Sequence, residues 1–319
     1  MMKQGFFIVA ALCIVLVSAC TRRKPDESNR KVVGFAINTL NNPFFVDMKL
    51  GAETAASEAG IEVLIQATER EMDVEKQVHI LENLIQRNVH VLCVTPNGSK
   101  EIIPAILKAN ARNIPFIVVD SRVDQRALKD AGGWIASFVG SDNDEGGQLA
   151  GEFVAQRLGG KGDVAILEGP AGHETGDSRL RGFRQAIAKV PALKVVSSQL
   201  AGFDRSQGYS VFQNILVAHP AVRAVFACND LMALGAVEAI AAAGKTGEII
   251  VVGFDAIDEA REAIRQGSMH ASIAQYPAEM GRVAVQTAVR LLKGEPISSE
   301  IPTKIRLITQ ENLGMTDGH

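Results

Sequence analysis

The chain has 319 residues, 47% of them hydrophobic, and no low-complexity block, so it can bury a large core and is long enough for two lobes. A formal charge of -3 argues against a nucleic-acid surface. Aromatic residues make up only 5% while Ala, Val, Ile and Gly abound, which suits closely packed βα units rather than a β-sandwich and places the chain in the α/β class.

In chain order, the first element is a separate object. Lys3 precedes an apolar segment from about Phe6 to Val17, which is short for a spanning helix, and Val17-Ser18-Ala19 stands directly before Cys20. Small residues before a cysteine resemble the lipobox of bacterial lipoproteins. Residues 1–19 are then a signal peptide and Cys20 the acylated first residue of the mature chain, the alternatives being an ordinary signal peptide or a signal anchor. Residues 20–30 are polar, charged and without periodicity, a lipidated tether ahead of a folded body that starts near Lys31.

Strand-like apolar runs follow near 32–37, 61–66, 89–95, 114–119, 135–139, 163–168, 193–200, 223–228, 248–253 and 270–275. Helical patterns occupy about 43–59, 73–87, 101–111, 142–158, 176–189, 205–218, 231–243, 257–266 and 279–293, several ending at a glycine such as Gly60, Gly244 or Gly267. Strands alternating with helices predict mainly parallel sheets. Ten strands exceed one ordinary sheet. An internal echo also favours two lobes: Ile114 to Asp120 is mirrored by Ile249 to Asp255, each a buried strand ending in a carboxylate. Cys93 and Cys228 sit in apolar runs without metal-ligand spacing, which predicts free buried thiols, with a disulfide between them as the alternative.

The most telling stretch is Val32 to Phe45. A strand buried on both faces runs into Asn41-Asn42, either of which supplies an N-cap oxygen, then Pro43 and a helix whose inner face carries Phe44, Met48, Ala52 and Ala55. Ligands of open α/β sheets bind beyond the carboxyl ends of strands, which is where Asn38, Asn42, Phe44 and Phe45 fall. Both aromatics also make sense as core staples.

With these blocks in order, the mature chain resembles the periplasmic sugar-binding proteins of ABC transporters, in particular the ribose-binding group of the type I fold. The matching blocks are Asn41-Asn-Pro-Phe-Phe45, Phe138-Val-Gly-Ser-Asp-Asn143, Arg179-Leu-Arg-Gly-Phe183, Val225 to Ala236, Val251-Val-Gly-Phe-Asp255 and Ile273-Ala-Gln275. The resemblance implies two Rossmann-like lobes joined by a three-crossover hinge, about 31–140 with 276–304 and about 141–275 with 305–319. It places sugar contacts at Asn42, Phe44, Phe45, Asp120, Arg179, Phe203, Asn229, Asp255 and Gln275. Carboxylates, amides and a guanidinium can saturate sugar hydroxyls, and the aromatic rings can cover C–H faces. Implied partners are a monosaccharide or polyol, the membrane permease and, through Cys20, the lipid surface, with no nucleic acid, no cofactor, no metal and a monomeric state.

Two positions depart from the ribose pattern. Asn38 replaces a small hydroxyl residue after the first strand, and Ser121 replaces an Arg after Asp120. Arg122, one residue along, substitutes only if the loop turns differently. The ligand therefore stays open among a ribose-like pentose, a hexose and a cyclic polyol. A LacI-type regulator core shares the motifs but needs a basic helix-turn-helix where this chain has its signal segment, and a sugar-sensing module for a chemoreceptor or sensor kinase would bind identically. Enzyme signals are weak: Gly244-Lys245-Thr246 lacks the earlier glycine of a P-loop, no Gly-x-Gly-x-x-Gly occurs, and His173-Glu174 with Asp142, Asp144 and Glu145 read as solvated helix caps.

Overall fold

A computed structural model describes residues 31–314. The signal segment 1–19, the tether 20–30 with Cys20, and residues 315–319 lie outside the described residues. The first half of the fold alternates strictly: β1 (Val32–Thr39), α1 (Pro43–Ala59), β2 (Glu62–Thr68), α2 (Val74–Gln86), β3 (Val91–Val94), α3 (Ile103–Ala111), β4 (Phe116–Val119), α4 (Gln125–Asp130) and β5 (Ser137–Ser141). The pattern repeats in α5 (Asn143–Arg157), β6 (Gly162–Glu168), α6 (Glu174–Ala188), β7 (Leu193–Leu200), α7 (Arg205–Ala218), β8 (Val222–Ala227), α8 (Asp230–Ala242), β9 (Ile250–Asp255), α9 (Asp258–Gln266) and β10 (Ala271–Ala274). It closes with α10 (Pro277–Leu292), β11 (Glu300–Thr303) and β12 (Arg306–Thr309).

The strands form two six-stranded sheets, ordered β11-β5-β4-β3-β1-β2 and β12-β10-β9-β8-β6-β7. Every pairing in the first is parallel, and in the second only β12 runs antiparallel to its neighbour β10. The chain passes between sheets after β5, after β10 and between β11 and β12, the three crossings expected of the fold class.

Alternation of side chains decides what each face of the first sheet carries. Val33, Phe35, Ile37, Cys93, Ile117 and Val119 pack with Met48 and Ala52 of α1 and with Met280 and Ala284 of α10. Ala36, Leu92, Val94, Phe116 and Val118 point the other way, onto Leu81 and Leu84 of α2 and Ile103 and Ile106 of α3. Burying each of the larger side chains stabilises the fold by about 1.5–3 kcal/mol, and one slip of register would turn both sets the wrong way.

Three elements went unread in the sequence. Strands β11 and β12 are four residues each, only partly buried, and lie at sheet edges, where Pro302 is tolerated because its missing N–H faces no partner strand. Helix α4 is a six-residue turn with Leu128 as its buried residue, too short to show a period; its one signal is Asp124, whose Oδ1 accepts from the Ala127 N–H at 2.8 Å. Cys93, in β3, and Cys228, just past the end of β8, are free and buried, so the disulfide alternative falls, and burial pushes both thiols up, Cys228 to about 12.

One helix contact matters for the site. A Cβ on Gly147 of α5 would lie 2.1 Å from the Arg179 carbonyl oxygen, and one on Gly182 of α6 would lie 2.0 Å from that of Asp144. Without side chains at these two positions the helices touch backbone to backbone. That approach sets Asn143, in the first turn of α5, beside Arg179 of α6.

Candidate functional site

Strand ends and helix starts from both sheets converge on one cavity, about 300 Å³ of space not occupied by atoms. It is lined by Asn38, Asn42, Phe44, Phe45, Asp120, Ser121, Arg179, Phe203, Asn229 and Asp255, all read from the sequence, together with Glu71, His173 and Thr175. Gln275 is the exception among the expected residues. It sits behind the wall, where its Nε2 donates to Asp255 Oδ1 at 2.9 Å, and its Oε1 has no partner.

The first sheet supplies Asn38, whose N–H donates to Thr95 Oγ1 at 2.7 Å and whose carbonyl accepts from the Thr68 hydroxyl, fixing the residue while its side-chain oxygen stays unpartnered. Of the two candidate caps, Asn42 performs the role: its Oδ1 accepts from the Phe44 N–H at 3.0 Å, which leaves its Nδ2 free to donate to Glu71 Oε1 at 2.9 Å. Phe44 and Phe45 meet edge to face with centroids 5.1 Å apart. They serve as core staples and as cavity wall at once.

Asp120 ends β4 at φ 65°, and the Ser121 N–H donates back to the Val119 carbonyl at 2.8 Å, a tight three-residue turn of the positive-φ kind. Asp255 ends β9 at φ 110°, with Ala256 at 53°, and Phe203 stands at 59°. Left-handed backbone at residues with side chains is costly, about 1–3 kcal/mol each, and such residues gather where a ligand is gripped.

Arg179 is the single guanidinium of the cavity and is 3% exposed. Its Nε donates to Asn143 Oδ1 at 2.8 Å, its Nη1 donates to the Cys228 carbonyl at 2.7 Å and faces Asp255 Oδ1 at 3.4 Å, and its Cζ lies 3.8 Å above the Phe254 ring. Asn229 caps α8, accepting from the Met232 N–H at 3.0 Å, and its Nδ2 donates to the Phe203 carbonyl at 3.2 Å.

One sequence reading changes here, and two cavity residues, Glu71 and Thr175, went unread. His173 is no solvated cap: it is 6% exposed, makes no capping bond to α6, and sets its ring edge to face against Phe203 at 5.5 Å. Glu71, in the polar stretch before α2, was not singled out, because the sequence does not show which loop turns toward the second sheet. Thr175 shares a hydrogen bond with Ser121 at 2.8 Å, and the Glu174 N–H donates to Ser99 Oγ at 3.3 Å, so the start of α6 is tied to both β-loops of the first sheet. The cap reading does hold for Asp142, whose Oδ1 accepts from the Glu145 N–H at 2.9 Å, and Asp144 is paired with Arg181. Arg122 does not stand in for a missing arginine: it stacks on Phe138 at 3.8 Å and pairs with Glu300, away from the cavity. Lys245 donates to the Pro220 carbonyl at 3.0 Å in the turn after α8, which makes no phosphate loop.

One cation among several acids sets the electrostatics. Burial raises Asp120 to about 6, against the pull of Arg179 and the Ser121 hydroxyl. Burial likewise raises Asp255 to about 7, opposed by Arg179 and helped by Asp120. Glu71 rises to about 7 through burial, reinforced by Asp255 and Asp120 and resisted by the Asn42 amide. Asp230, behind Asp255, is raised well above the ordinary range by burial and by that neighbour, although Ser272 Oγ and the Ile257 N–H donate to it at 2.6 and 2.9 Å. His173 is lowered to about 4 by burial and by Arg179, so it is neutral at pH 7.

Residues 33–296 match a family model described as a periplasmic binding protein domain. The ribose import binding protein of Bacillus subtilis is 36% identical over 318 residues, which span 97% of this chain and 100% of that protein. The chain belongs to the periplasmic binding protein family. Among solved structures of this family, a solute-binding protein of an ABC transporter from Actinobacillus succinogenes with bound D-allose superposes with a TM-score of 0.84 at 36% identity, over 89% of this chain and 99% of that one. Another, from Bacillus halodurans with bound myo-inositol, gives a TM-score of 0.82 at 31% identity, over 90% and 97% of the two chains. These relatives of the binding protein are binding proteins, not enzymes.

In the binding protein, Glu71, Asp120 and Asp255 hold protons that the unfolded chain releases, because each folded value lies above the ordinary one. Their contribution to stability is complete below about pH 4 and is lost as pH rises through their raised values, at no more than about 1.4 kcal/mol per pH unit per group. Thermal midpoints of the wild type and of Asp255→Asn, measured from about pH 5 to pH 8, are expected to diverge, the wild type losing more as pH rises. Curves of the same shape would contradict the burial of an ionisable group at this position.

Proposed function

We propose that this protein is the extracytoplasmic sugar-binding component of an ABC importer. The observation that carries the reading is a set of orphaned polar atoms on cavity-lining residues: Asn38 Oδ1 and Asp120 Oδ1 from one sheet and His173 Nδ1 from the other, all buried without a partner. A buried acceptor left unpaired costs about 1–3 kcal/mol, and a molecule bearing several hydroxyls removes that penalty from all of them together. Phe44, Phe45 and Phe203 cover the apolar faces of such a ring, while Asn42, Asn229 and Arg179 repartition their hydrogen bonds toward it.

The lobes divide at about 31–140 with 276–304 and 141–275 with 305–319, and closure about the three crossings presents both lobe faces to the permease. Candidate ligands are a ribose-like pentose, a hexose and a cyclic polyol. The relatives named for ribose and the neighbours holding D-allose and myo-inositol support that range. Ser121 in place of an arginine removes up to five donors from the wall, which argues against a strict ribose preference.

A thermal-shift scan of residues 24–319, refolded to strip carried-over ligand, is expected to give a raised midpoint with at least one monosaccharide or polyol. A ligand at about 100 times its dissociation constant adds about 2.7 kcal/mol. Response to amino acids or nucleosides alone would overturn the sugar reading. The lipid anchor is part of the same proposal: labelled fatty acid should enter the full-length protein and not Cys20→Ser, and equal labelling of the two would remove Cys20 from the account.

A further inference from the structure

Most of the side-chain donors that face the cavity are already committed within the protein, and the buried atoms left without a partner there include the acceptors Asn38 Oδ1 and Asp120 Oδ1. Asn42 Nδ2 goes to Glu71, Asn229 Nδ2 to Phe203, and Arg179 to Asn143, Cys228 and Asp255. The cavity also holds three carboxylates against one guanidinium. A molecule that satisfies this wall must bring donors at several positions and no negative charge of its own.

Two residues push the balance that way, one in each lobe. Glu71 is held by Asn42 at 2.9 Å and lines both the cavity and a wider outer groove with about 1200 Å³ of space not occupied by atoms, which also includes Asn42 and Phe203, so it stands where the inner space opens outward. His173 stands at the start of α6 without capping it, its ring set edge to face against Phe203 at 5.5 Å, and it lines the cavity. Its Nδ1 is buried without a partner, and with the Nε2 tautomer of the neutral ring that atom accepts from a ligand hydroxyl.

We propose that Glu71 and His173 are specificity-determining residues that restrict the cleft to neutral, fully hydroxylated rings, turning away sugar acids by charge and deoxy sugars by the acceptors they would leave unpaired. The inference rests on the sugar-binding reading of the same cleft. A neutral hydroxyl facing Glu71 donates to a carboxylate, whereas a carboxylate in that place would meet Glu71, Asp120 and Asp255 with Arg179 alone to offset them. A site built around a hydroxyl rejects the analogue lacking it because the protein's own polar atom is then stranded.

Calorimetric titration of the wild type, Glu71→Gln, His173→Ala and His173→Gln tests it, with D-ribose, D-allose, D-glucose and myo-inositol as neutral probes and D-glucuronate, 2-deoxy-D-ribose and 2-deoxy-D-glucose as the contrasting ones. For the neutral probe bound most tightly, Glu71→Gln and His173→Ala should each weaken binding about tenfold, the size of one hydrogen bond to a charged or stranded group. Glu71→Gln should at the same time leave D-glucuronate no weaker, narrowing the gap between neutral and acidic probes. His173→Ala should narrow the gap between hydroxylated and deoxy probes, with His173→Gln, which keeps an acceptor, restoring part of it. Unchanged affinity ranking in all three variants would overturn the roles of Glu71 and His173 and leave the sugar site standing. Failure of the wild type to bind any of the sugars would instead bring down the sugar reading itself.

Discussion

The fold is arranged around one buried guanidinium. Taking Arg179 out of water is unfavourable by several kcal/mol unless its donors are met, and the structure meets them from four directions: an amide on α5, a carbonyl after β8, a carboxylate at the end of β9 and the face of Phe254. Each partner depends on a larger feature. Asn143 reaches Arg179 because Gly147 and Gly182 let two helices touch, and Asp255 reaches it because the chain leaves β9 through two residues of left-handed backbone. The two apolar faces of each sheet supply the stability that such strain draws on.

Arg179 also explains why several carboxylates can coexist at the junction of the lobes. Asp120 comes from the first sheet and Asp255 from the second, and each is pulled down by the same cation against its own burial. The cation is thus a shared counter-charge across the cleft. Acids with raised values gather at functional sites in general, binding sites among them. The relatives are binding proteins, which agrees with a site whose work is to hold and release.

Much of this was legible in the sequence, for reasons that can be named. Strands covered on both faces give long apolar runs, so β1, β4 and β9 and the carboxylates that end two of them stood out at once, and the Asn42-Pro43 pair marked the start of α1 to the residue. What stayed hidden was short or decided at a distance. Strands β11 and β12 have half-exposed faces and no run to read, and α4 has one turn's worth of pattern. Glu71 and His173 lie in polar loops whose local chemistry is that of a surface. Contacts far along the chain turn them inward, His173 meeting Phe203 thirty residues on and Glu71 meeting Asn42 twenty-nine residues back. Local sequence carries cap and turn preferences, but not the facing of two sheets.

Hydroxyl groups of a ligand settle onto carboxylates that burial keeps partly protonated. Hydrogen bonds donated to the ionised form lower a carboxyl's pKa, so binding near pH 6.5 must drive protons off Asp255 and Glu71, whose values in the free protein are about 7. Calorimetric titration with the bound sugar in phosphate and again in imidazole, two buffers of different ionisation enthalpy, measures this directly. The account predicts different heats in the two buffers with the sign of proton release; equal heats, or heats showing proton uptake, would contradict it.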